Sequence, residues 1–390
     1  MSEPIDWLPD GTPYSPRFGD RYHSESGLSQ ARDVFLHGCG LPGAWAGQRQ
    51  WRILETGFGL GLNFLATWAA WRADPERPAL LHFVSTEAWP VAADALLQAH
   101  SGGELAPLAN ELAAQFWGLL PGVHRLAFDG GRVLLTLLIG DTQALLRQQQ
   151  GVLVADSVYL DGFSPRRNPG MWDADTLRAV ARCCRRGTRL ATWSVAASVR
   201  QGLLQNGFAV QRVPGVPPKR ANLHATFDPR WEPRGALPQA YAGERRCLVI
   251  GAGLAGASVA ASLARRGWQV EVLDQGSAPA TGASGLPAGL ICPHTSPDDG
   301  QLSRTTRAGA RTTLHWAGAL LRAGEDWAES GVLEHCVDGR LALGEGWLHG
   351  PGADWSRPAT PAQLQAAHLP PGTPACWHAR AGWLRPARLA

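Results

Sequence analysis

Short apolar runs alternate with stretches of helical periodicity over the first 160 residues of the chain. The apolar runs predict strands at 51–55, 80–85, 133–139 and 157–160. Apolar residues at helical spacing predict a helix over 61–72 and helical regions over 88–100 and 105–119. This alternation predicts an α/β domain built on an open, parallel sheet.

Each predicted strand ends at an acidic residue or is followed by one within two residues. These residues are Glu55, Glu87, Asp141 and Asp161. Because ligands bind beyond the carboxyl ends of the strands in an open parallel sheet, we expect the four side chains to converge on one crevice. Glu87 and Asp141 have an alternative interpretation, since acidic residues at strand ends are commonly helix N-caps.

Two glycine-rich loops of different spacing each follow an apolar run and precede an Ala/Leu-rich stretch. The glycines are Gly57, Gly59 and Gly61 in the first loop and Gly251, Gly253 and Gly256 in the second. The strand–turn–helix context is the one in which such glycines bind nucleotides. Two loops of this kind predict two α/β domains and two different cofactors.

The first loop and its acidic companions favour S-adenosylmethionine. Glu87 suits the hydroxyls of a ribose and Asp141 suits an adenine amine, whereas the loop has no basic residue for a polyphosphate. S-adenosylmethionine has a ribose, an adenine and a positive sulfonium but no phosphate. We therefore predict a binding site made of Glu55, Gly57, Gly59, Gly61, Glu87 and Asp141.

The segment 159–172 combines an acidic residue with aromatic residues and prolines directly after a predicted strand. Asp161 would lie beside the sulfonium methyl group, where it can hold an acceptor amine and accept its proton. Asp161 is therefore the candidate catalytic residue. The alternative is an Asx-turn in a loop rich in Pro and Gly.

The second loop begins a dinucleotide-binding unit with strands at 246–250 and 269–273 and a helix at 257–266. Asp274 follows Gly251 at about the 20-residue spacing expected of a ribose-binding acid. The loop by itself leaves FAD and NAD both open.

Composition sets limits on the remaining function classes. The chain has 390 residues, 45% of them hydrophobic, and a net charge of +3, which is too small to indicate a nucleic-acid partner without local clustering. Its seven cysteines have no metal-like spacing, so we expect reduced thiols, no metal and a cytoplasmic protein. No apolar run is long enough to span a membrane, and we expect a monomer.

The stretch 229–244 is rich in Pro, Gly and Ala and predicts a linker between domains at 1–228 and 245–390.

Three separated segments, 22–36, 55–65 and 160–172, resemble a bifunctional tRNA-modifying family that makes 5-methylaminomethyl-2-thiouridine at the wobble position. The resemblance implies an N-terminal methyltransferase with a Rossmann-like fold, fused to an FAD-dependent oxidoreductase with its own Rossmann domain. Leu60 departs from the Thr expected inside the first loop, a change that leaves the backbone turn intact.

The resemblance also implies the substrate. The first domain would methylate the amine of an aminomethyl-uridine, with the wobble base stacked on Phe163 or Trp172. Basic residues would contact the tRNA anticodon stem-loop, and the candidates are Arg166, Arg167, Lys219 and Arg220.

In the second domain, the resemblance favours FAD and adds Ser284, within 282–289, as a second FAD contact. The flavin would remove the carboxymethyl group from a carboxymethylaminomethyl precursor. Leu286 and Pro287 depart from the polar pair of the family pattern, and about 145 residues are fewer than such an oxidase needs, so we expect an incomplete FAD domain.

Two other functions are compatible with the residues. The acidic crevice also suits a methyltransferase or aminopropyltransferase that acts on a small amine. A non-catalytic RNA- or flavin-binding protein is the third possibility, and it predicts that replacing Asp161 has no effect.

Overall fold

The structure is a computed structural model that describes residues 3–24, 26–232, 241, 243–337, 339–341, 343–348 and 350–390. The chain divides into two compact units, built mainly from residues 2–240 and 241–390. Most of the linker predicted at 229–244 lies outside the described residues, at 233–240 and 242.

The first unit contains a small N-terminal sheet and one large sheet. The small sheet consists of β1 (Asp6–Trp7), β2 (Pro13–Ser15) and β3 (Asp20–Arg21). The large sheet consists of β4 (Gln50–Thr56), β5 (Leu80–Glu87), β6 (Gly122–Phe128), β7 (Val133–Ile139), β8 (Ala155–Leu160), β9 (Cys184–Thr192), β10 (Phe208–Pro214) and β11 (Ala221–Phe227). The helices are α1 (Gly27–Gln30), α2 (Leu62–Ala73), α3 (Ala93–Ala99), α4 (Ala106–Ala113), α5 (Thr142–Gln148), α6 (Ala174–Arg182) and α7 (Ala197–Gln205).

The large sheet is mixed, and its strand order is β10-β11-β9-β8-β4-β5-β7-β6. Strands β9, β8, β4, β5 and β7 are parallel to one another, whereas β6, β10 and β11 pair antiparallel at the two sides. The four strands predicted from apolar runs are therefore confirmed as the neighbours β8, β4, β5 and β7. Their carboxyl ends lie along one edge of the sheet, which is the predicted location of the crevice.

Two helix predictions are wrong in extent. Helix α3 begins only at Ala93, because β5 continues to Glu87 and is followed by the Trp89–Pro90 turn. Helix α4 ends at Ala113 rather than near residue 119, and the chain then enters the edge strand β6. Helix α6 ends at Arg182 and Cys184 begins β9, with Cys183 and Cys184 both buried.

Helix α2 packs on the sheet through a single aromatic face. Phe64, Trp68 and Trp71 recur at helical spacing and are each at most 1% exposed. The Phe64 ring lies 5.3 Å from that of Phe83 on β5, and the Trp68 ring lies 4.5 Å from that of Phe128 on β6. This packing fixes the helix that follows the first glycine loop, and with it the loop itself.

The second unit begins with β12 (Arg246–Ile250), α8 (Leu254–Arg265) and β13 (Gln269–Leu273), and the two strands pair in parallel as predicted. Its other helices are α9 (Gln301–Leu320), α10 (Glu345–Leu348), α11 (Pro361–Ala366) and α12 (Pro386–Leu389). Two small antiparallel sheets contain β14 (Gly289–Ile291), β15 (Trp327–Ala328), β16 (Val332–His335), β17 (Ser356–Pro358), β18 (Ala375–His378) and β19 (Gly382–Leu384).

Candidate active site

The first glycine loop is a tight turn fixed to the neighbouring strand. The backbone N–H groups of Gly57 and Phe58 both donate to the Thr86 carbonyl oxygen, at 3.0 and 3.1 Å. Gly61 has a φ of +74° at the start of α2, and a Cβ there would lie 2.9 Å from the Phe58 ring. Since both the backbone conformation and the space exclude a side chain, Gly61 keeps the loop closed on the helix.

Glu87 joins this loop to the end of β5. Its Oε2 accepts a hydrogen bond from the Gly59 N–H and its Oε1 accepts one from the Trp89 N–H, both at 2.8 Å. Burial raises the pKa of Glu87 above its usual value. Because α3 begins at Ala93, Glu87 is not a helix N-cap, and the alternative interpretation is wrong for this residue.

Asp141 both caps a helix and lines a cavity. Its Oδ1 accepts a hydrogen bond from the Ala144 N–H at 2.8 Å, so that it caps α5, and the residue also lines a cavity beside the glycine loop.

That cavity has a volume of about 260 Å³ and lies at the carboxyl ends of β4, β5, β7 and β8. Its walls combine the predicted Gly57, Gly59, Glu87, Asp141 and Asp161 with residues of the N-terminal segment. The N-terminal contributors include Glu3, Phe18, Tyr22 and His23. We call it the donor cavity. The predicted convergence of the strand-end residues therefore holds for Glu87, Asp141 and Asp161.

Glu55 and Gly61 do not line the donor cavity. Glu55 is 1% exposed, and its Oε2 accepts a 2.6 Å hydrogen bond from the Ser85 hydroxyl. Burial, together with the nearby Asp161 carboxylate, raises the pKa of Glu55 well above its usual range. The Glu55 side chain is thus buried between β4 and β5 and is not exposed to the donor cavity.

A second cavity of about 720 Å³ adjoins the first and shares Tyr22, His23, Asp161, Gly162 and Phe163 with it. We call it the acceptor cavity. Its other walls come from the N-terminal segment, the start of the 164–172 segment and the ends of β9 and β10. Among these are Asp20, Trp172, Trp193 and Lys219.

Asp161 lies on the wall common to both cavities. Its Oδ2 accepts a 2.9 Å hydrogen bond from the Asn63 side-chain amide and its Oδ1 accepts one from the Gly162 N–H at 2.8 Å. Its backbone is held by Thr56, whose hydroxyl donates to the Asp161 carbonyl oxygen at 2.7 Å. Burial raises the pKa of Asp161 to about 6, while the positive charge of Lys219 opposes the shift. The residue is a carboxylate at neutral pH in a fixed position between the two cavities.

Phe163 and Trp172 occupy different places at the acceptor cavity. The Phe163 ring stacks on Phe18 at 4.7 Å and meets the edge of Tyr22 at 5.1 Å, so it belongs to an aromatic cluster that lines both cavities. Trp172 is 7% exposed and its indole N–H donates to the Phe163 carbonyl oxygen at 2.8 Å. Trp172 thus supports the loop, and stacking of a base on either ring stays a prediction.

The basic residues separate into inward and outward groups. Arg166, Arg167 and Arg220 are exposed and line neither cavity, whereas Lys219 points into the acceptor cavity. Arg185 and Arg186, at the start of β9, form ion pairs within the protein, Arg185 with Asp156 and Arg186 with Asp228. Contact with phosphates therefore stays a prediction for the exposed group.

Sequence reasoning missed Asn63 and Trp193. Asn63 follows the glycine loop and donates to Asp161, and an Asn one residue into an otherwise apolar helix was an available signal. Trp193 directly follows β9, a strand that contains three arginines and no continuous apolar run, so its place beside Lys219 had no signal in the sequence.

The second glycine loop has the geometry of a dinucleotide-binding turn. A Cβ on Gly256 would lie 1.8 Å from the Gly251 carbonyl oxygen, so only glycine permits this approach of helix and loop. Asp274, at the end of β13, accepts hydrogen bonds from the N–H groups of Ala252 and Gly276, at 2.7 and 2.8 Å. The Ser284 hydroxyl accepts one from the Leu254 N–H at the start of α8, at 3.1 Å. The predicted residues therefore meet around the helix N-terminus, where a diphosphate binds.

Two family models match the chain. One, described as S-adenosyl-L-methionine-dependent methyltransferase, matches residues 103–228, and the other, described as FAD dependent oxidoreductase, matches residues 246–390. The chain thus has a methyltransferase domain followed by an FAD-dependent oxidoreductase domain. The predicted α/β fold class and the predicted cofactors, S-adenosylmethionine and FAD, are confirmed.

Similarity to curated proteins extends over the whole chain. It is 69% identical to the tRNA 5-methylaminomethyl-2-thiouridine biosynthesis bifunctional protein MnmC of Paracidovorax citrulli, over 100% of this chain and 62% of that protein. The MnmC of Acidovorax sp. is 67% identical, with the same two shares covered. The crystal structure of MNMC2 from Aquifex aeolicus covers 60% of this chain and 74% of its own, at 24% identity and a TM-score of 0.48. The resemblance to the bifunctional family is confirmed, and the chain spans about three fifths of the length of the curated relatives.

Replacing Glu87 by Gln is expected to weaken the binding of S-adenosylmethionine about tenfold, since it disturbs charge-assisted hydrogen bonds to two backbone N–H groups. The Gln amide must direct an NH₂ group at one of these donors, which displaces the loop. Isothermal titration calorimetry measures the dissociation constant. Glu111→Gln is the matched control, because Glu111 pairs with Arg72 on the surface, and equal affinities for the two variants would contradict the role of Glu87.

Proposed function

We propose that the first domain transfers a methyl group from S-adenosylmethionine to the primary amine of 5-aminomethyl-2-thiouridine at the wobble position of tRNA. The observation that carries this proposal is the pair of adjoining cavities with Asp161 on their common wall. One cavity lies at the glycine loop and the other is open to a second substrate. The names of the curated relatives give 5-methylaminomethyl-2-thiouridine of tRNA as the nucleoside whose biosynthesis they serve, and we take its unmethylated amine precursor as the acceptor.

The donor cavity fits S-adenosylmethionine on the chemistry of its residues. The Glu87 carboxylate retains lone pairs beyond its two backbone bonds and can accept ribose hydroxyls, and Asp141 lies at the far side for the adenine. The bound donor supplies an electrophilic methyl group on a positive sulfur. Tyr22 and Phe163 line the cavity wall beside Asp161 and limit the entry of water.

Asp161 positions the acceptor amine and takes up a proton. The nitrogen lone pair forms the new N–C bond while the electrons of the methyl–sulfur bond return to sulfur, which becomes neutral. The methylated nitrogen is then a secondary ammonium ion, and the Asp161 carboxylate accepts one of its protons. Asn63 and the Gly162 N–H hold both carboxylate oxygens in place for this step.

The acceptor cavity suits a nucleoside that has left its stack. Wobble bases lie in a single-stranded loop and can be splayed out into a protein pocket. Phe163 and Trp193 present aromatic side chains to this cavity, and exposed Arg166, Arg167 and Arg220 are our candidates for contacts with anticodon stem-loop phosphates.

We propose that the second domain, residues 245–390, takes part in the preceding step, the oxidative removal of the carboxymethyl group from a carboxymethylaminomethyl-uridine. Bound FAD would accept the two electrons and a proton of this oxidation, and water would then hydrolyse the resulting imine, which breaks the C–N bond and releases the two-carbon group as an oxo acid. Gly251, Gly253, Gly256, Asp274 and Ser284 would hold the cofactor at the N-terminus of α8, on the geometry of the loop. The primary amine left behind is the acceptor that the domain at 1–228 methylates.

We also propose that the protein acts in the cytoplasm as a monomer. Among the helices that the structure describes, none combines the length and the hydropathy of a bilayer span. In the same part of the chain, His, Cys, Asp and Glu side chains form no group of three suited to a metal, and the expectation that no metal takes part stays a prediction.

Nucleoside mass spectrometry of wobble-hypomodified tRNA tests the two proposed activities separately. Purified protein is incubated with tRNA in the aminomethyl form and in the carboxymethylaminomethyl form, each with and without S-adenosylmethionine. We expect tRNA in the aminomethyl form to give the methylaminomethyl nucleoside when S-adenosylmethionine is present and not when it is absent. If tRNA in the carboxymethylaminomethyl form also gives this nucleoside, the flavin step takes place. Methylation of a polyamine in place of tRNA would favour the small-amine alternative, in which Asp20 and Asp161 of the acceptor cavity would bind the amine groups.

A further inference from the structure

Lys219 is the only lysine of the chain, and its side chain is directed into the acceptor cavity. Its ammonium group donates a 3.0 Å hydrogen bond to the Trp193 carbonyl oxygen and lies 4.7 Å from the centre of the Trp193 ring. The adjacent Arg220 is exposed and lines neither cavity. The basic pair at 219–220 is therefore divided between the interior of the site and the surface, which is unlike a patch that binds phosphates.

The chemistry of the proposed reaction explains why a cation is needed there. An alkylamine is largely an ammonium ion at neutral pH, and an ammonium ion has no lone pair with which to attack a methyl group. A carboxylate alone beside the acceptor stabilises the ammonium form, because opposite charges attract more strongly in a partly buried site. Asp161 by itself would thus bind the acceptor in its unreactive state.

We propose, on the basis of the function proposed above, that Lys219 is the counter-ion of Asp161 and keeps the acceptor amine of the tRNA unprotonated. The ammonium group of Lys219 repels a second positive charge in the cavity and leaves Asp161 free to accept the proton released after methyl transfer. Lys219 thereby selects a neutral amine as the group that can bind productively. The donor's positive sulfonium acts in the same direction.

The other charged and titratable groups around Lys219 do not supply this charge. Arg21 is paired with Asp10 at 3.1 Å, and burial lowers the pKa of His23, which leaves it neutral. Burial raises the pKa of Tyr22, so that its hydroxyl also stays neutral. Asp20 accepts a hydrogen bond from the Ser164 N–H at 2.9 Å and adds negative charge near Lys219.

The pKa of Lys219 limits the pH range in which its positive charge can act. Burial lowers the pKa of Lys219 to about 8, while Asp161 and Asp20 oppose the shift. The side chain is therefore cationic at neutral pH and loses its charge as the pH rises above 8. In that upper range the acceptor amine loses its own proton to solvent, and the contribution of Lys219 is no longer needed.

The pH dependence of methyl transfer in Lys219→Gln tests the role. We expect kcat/KM at pH 7 to fall about tenfold, because the rising limb of its pH profile moves up by about one pH unit. Above pH 9 the value should approach that of the wild type. Lys219→Arg keeps the charge at every pH and should retain the wild-type profile. Arg220→Gln is the matched control, since it removes a neighbouring surface charge and should change the KM for tRNA without moving the profile.

The outcomes separate this inference from the proposed function. An active Lys219→Gln enzyme with an unshifted profile and a raised KM for tRNA at all pH values would identify a phosphate contact and overturn the inference alone. Absence of methylated nucleoside in the wild type at any pH would overturn the proposed function and this inference with it.

Chemical labelling gives a readout that does not depend on activity. Because Lys219 is the only lysine, an acetylating reagent that reacts with amines modifies this side chain and the chain terminus, and peptide mass spectrometry distinguishes the two. We expect the labelling rate of Lys219 to rise with a midpoint near pH 8 and to fall when hypomodified tRNA is added. A midpoint near 10.4, the value of a free lysine, without protection by tRNA would overturn the inference.

Discussion

Asp161→Asn is expected to reduce the rate of methyl transfer by about 10³-fold, because the acceptor loses the group that accepts its proton and sets its direction of attack. The side chain lies on the wall common to the donor and acceptor cavities. The Asn variant keeps the size of the side chain and lacks the carboxylate. The rate is measured in single turnover, with S-adenosylmethionine bound and aminomethyl-uridine tRNA in excess.

Stability distinguishes the loss of a catalytic group from misfolding. Burial raises the pKa of Asp161 to about 6 in the folded protein, against about 3.9 in an unfolded chain. Ionisation therefore costs folding free energy as the pH rises through this interval, and the cost is fully present above pH 6. Since Asn never ionises, the variant should be at least as thermally stable as the wild type at pH 7.

A rate of methyl transfer by Asp161→Asn within tenfold of the wild-type rate would favour the non-catalytic alternative.

The same raised pKa predicts an acidic limit to activity. Below about pH 6 Asp161 is increasingly protonated and accepts no further proton, so the wild-type rate should fall roughly tenfold per pH unit. The Asn variant should lack this limb of the profile.

The strand ends were predictable because the central strands are buried on both faces. Strands β4, β5, β7 and β8 read as apolar runs, and three of the four acidic residues at their ends, Glu87, Asp141 and Asp161, line the donor cavity. Asp141 also caps α5, so neither of its interpretations excluded the other. The loop glycines followed from the same strand–turn–helix pattern.

The outer strands gave no such signal. Strand β9 contains three arginines among its exposed positions, and β10 is largely exposed, so neither has a continuous apolar run. The segment after β9 and the connection between β10 and β11 form the side of the acceptor cavity that contains Trp193 and Lys219. The acceptor half of the site was therefore less predictable than the donor half.

Glu55 and Lys219 show a second limit of prediction from sequence, which does not reveal the direction in which a side chain points. The sequence places Glu55 at a strand end but does not reveal that its side chain is buried against Ser85 and does not line the cavity. It places Lys219 beside Arg220 but does not reveal that one points inward and the other outward. Both distinctions depend on how segments distant in sequence pack against each other.

Gly256→Ala is expected to destabilise the second domain by about 3 kcal/mol and to abolish its retention of flavin. The reason is that the added methyl group clashes with backbone atoms, which cannot move aside as a flexible side chain would. The added Cβ would lie 1.8 Å from the Gly251 carbonyl oxygen, so that α8 must move away from the loop at its N-terminus. This displacement separates the donors that bind a diphosphate. Differential scanning calorimetry of the full chain and the flavin released per chain on denaturation measure the two effects.

Gly309→Ala is the matched control for this substitution. Gly309 lies at an exposed position inside α9, and no atom lies within 4 Å of the position of an added Cβ. Ala is therefore accommodated there without strain, so the thermal transition should be no lower than that of the wild type and the flavin content should be unchanged. If Gly256→Ala also behaved like the wild type, the close approach of α8 to the glycine loop would not be what holds the dinucleotide in this domain.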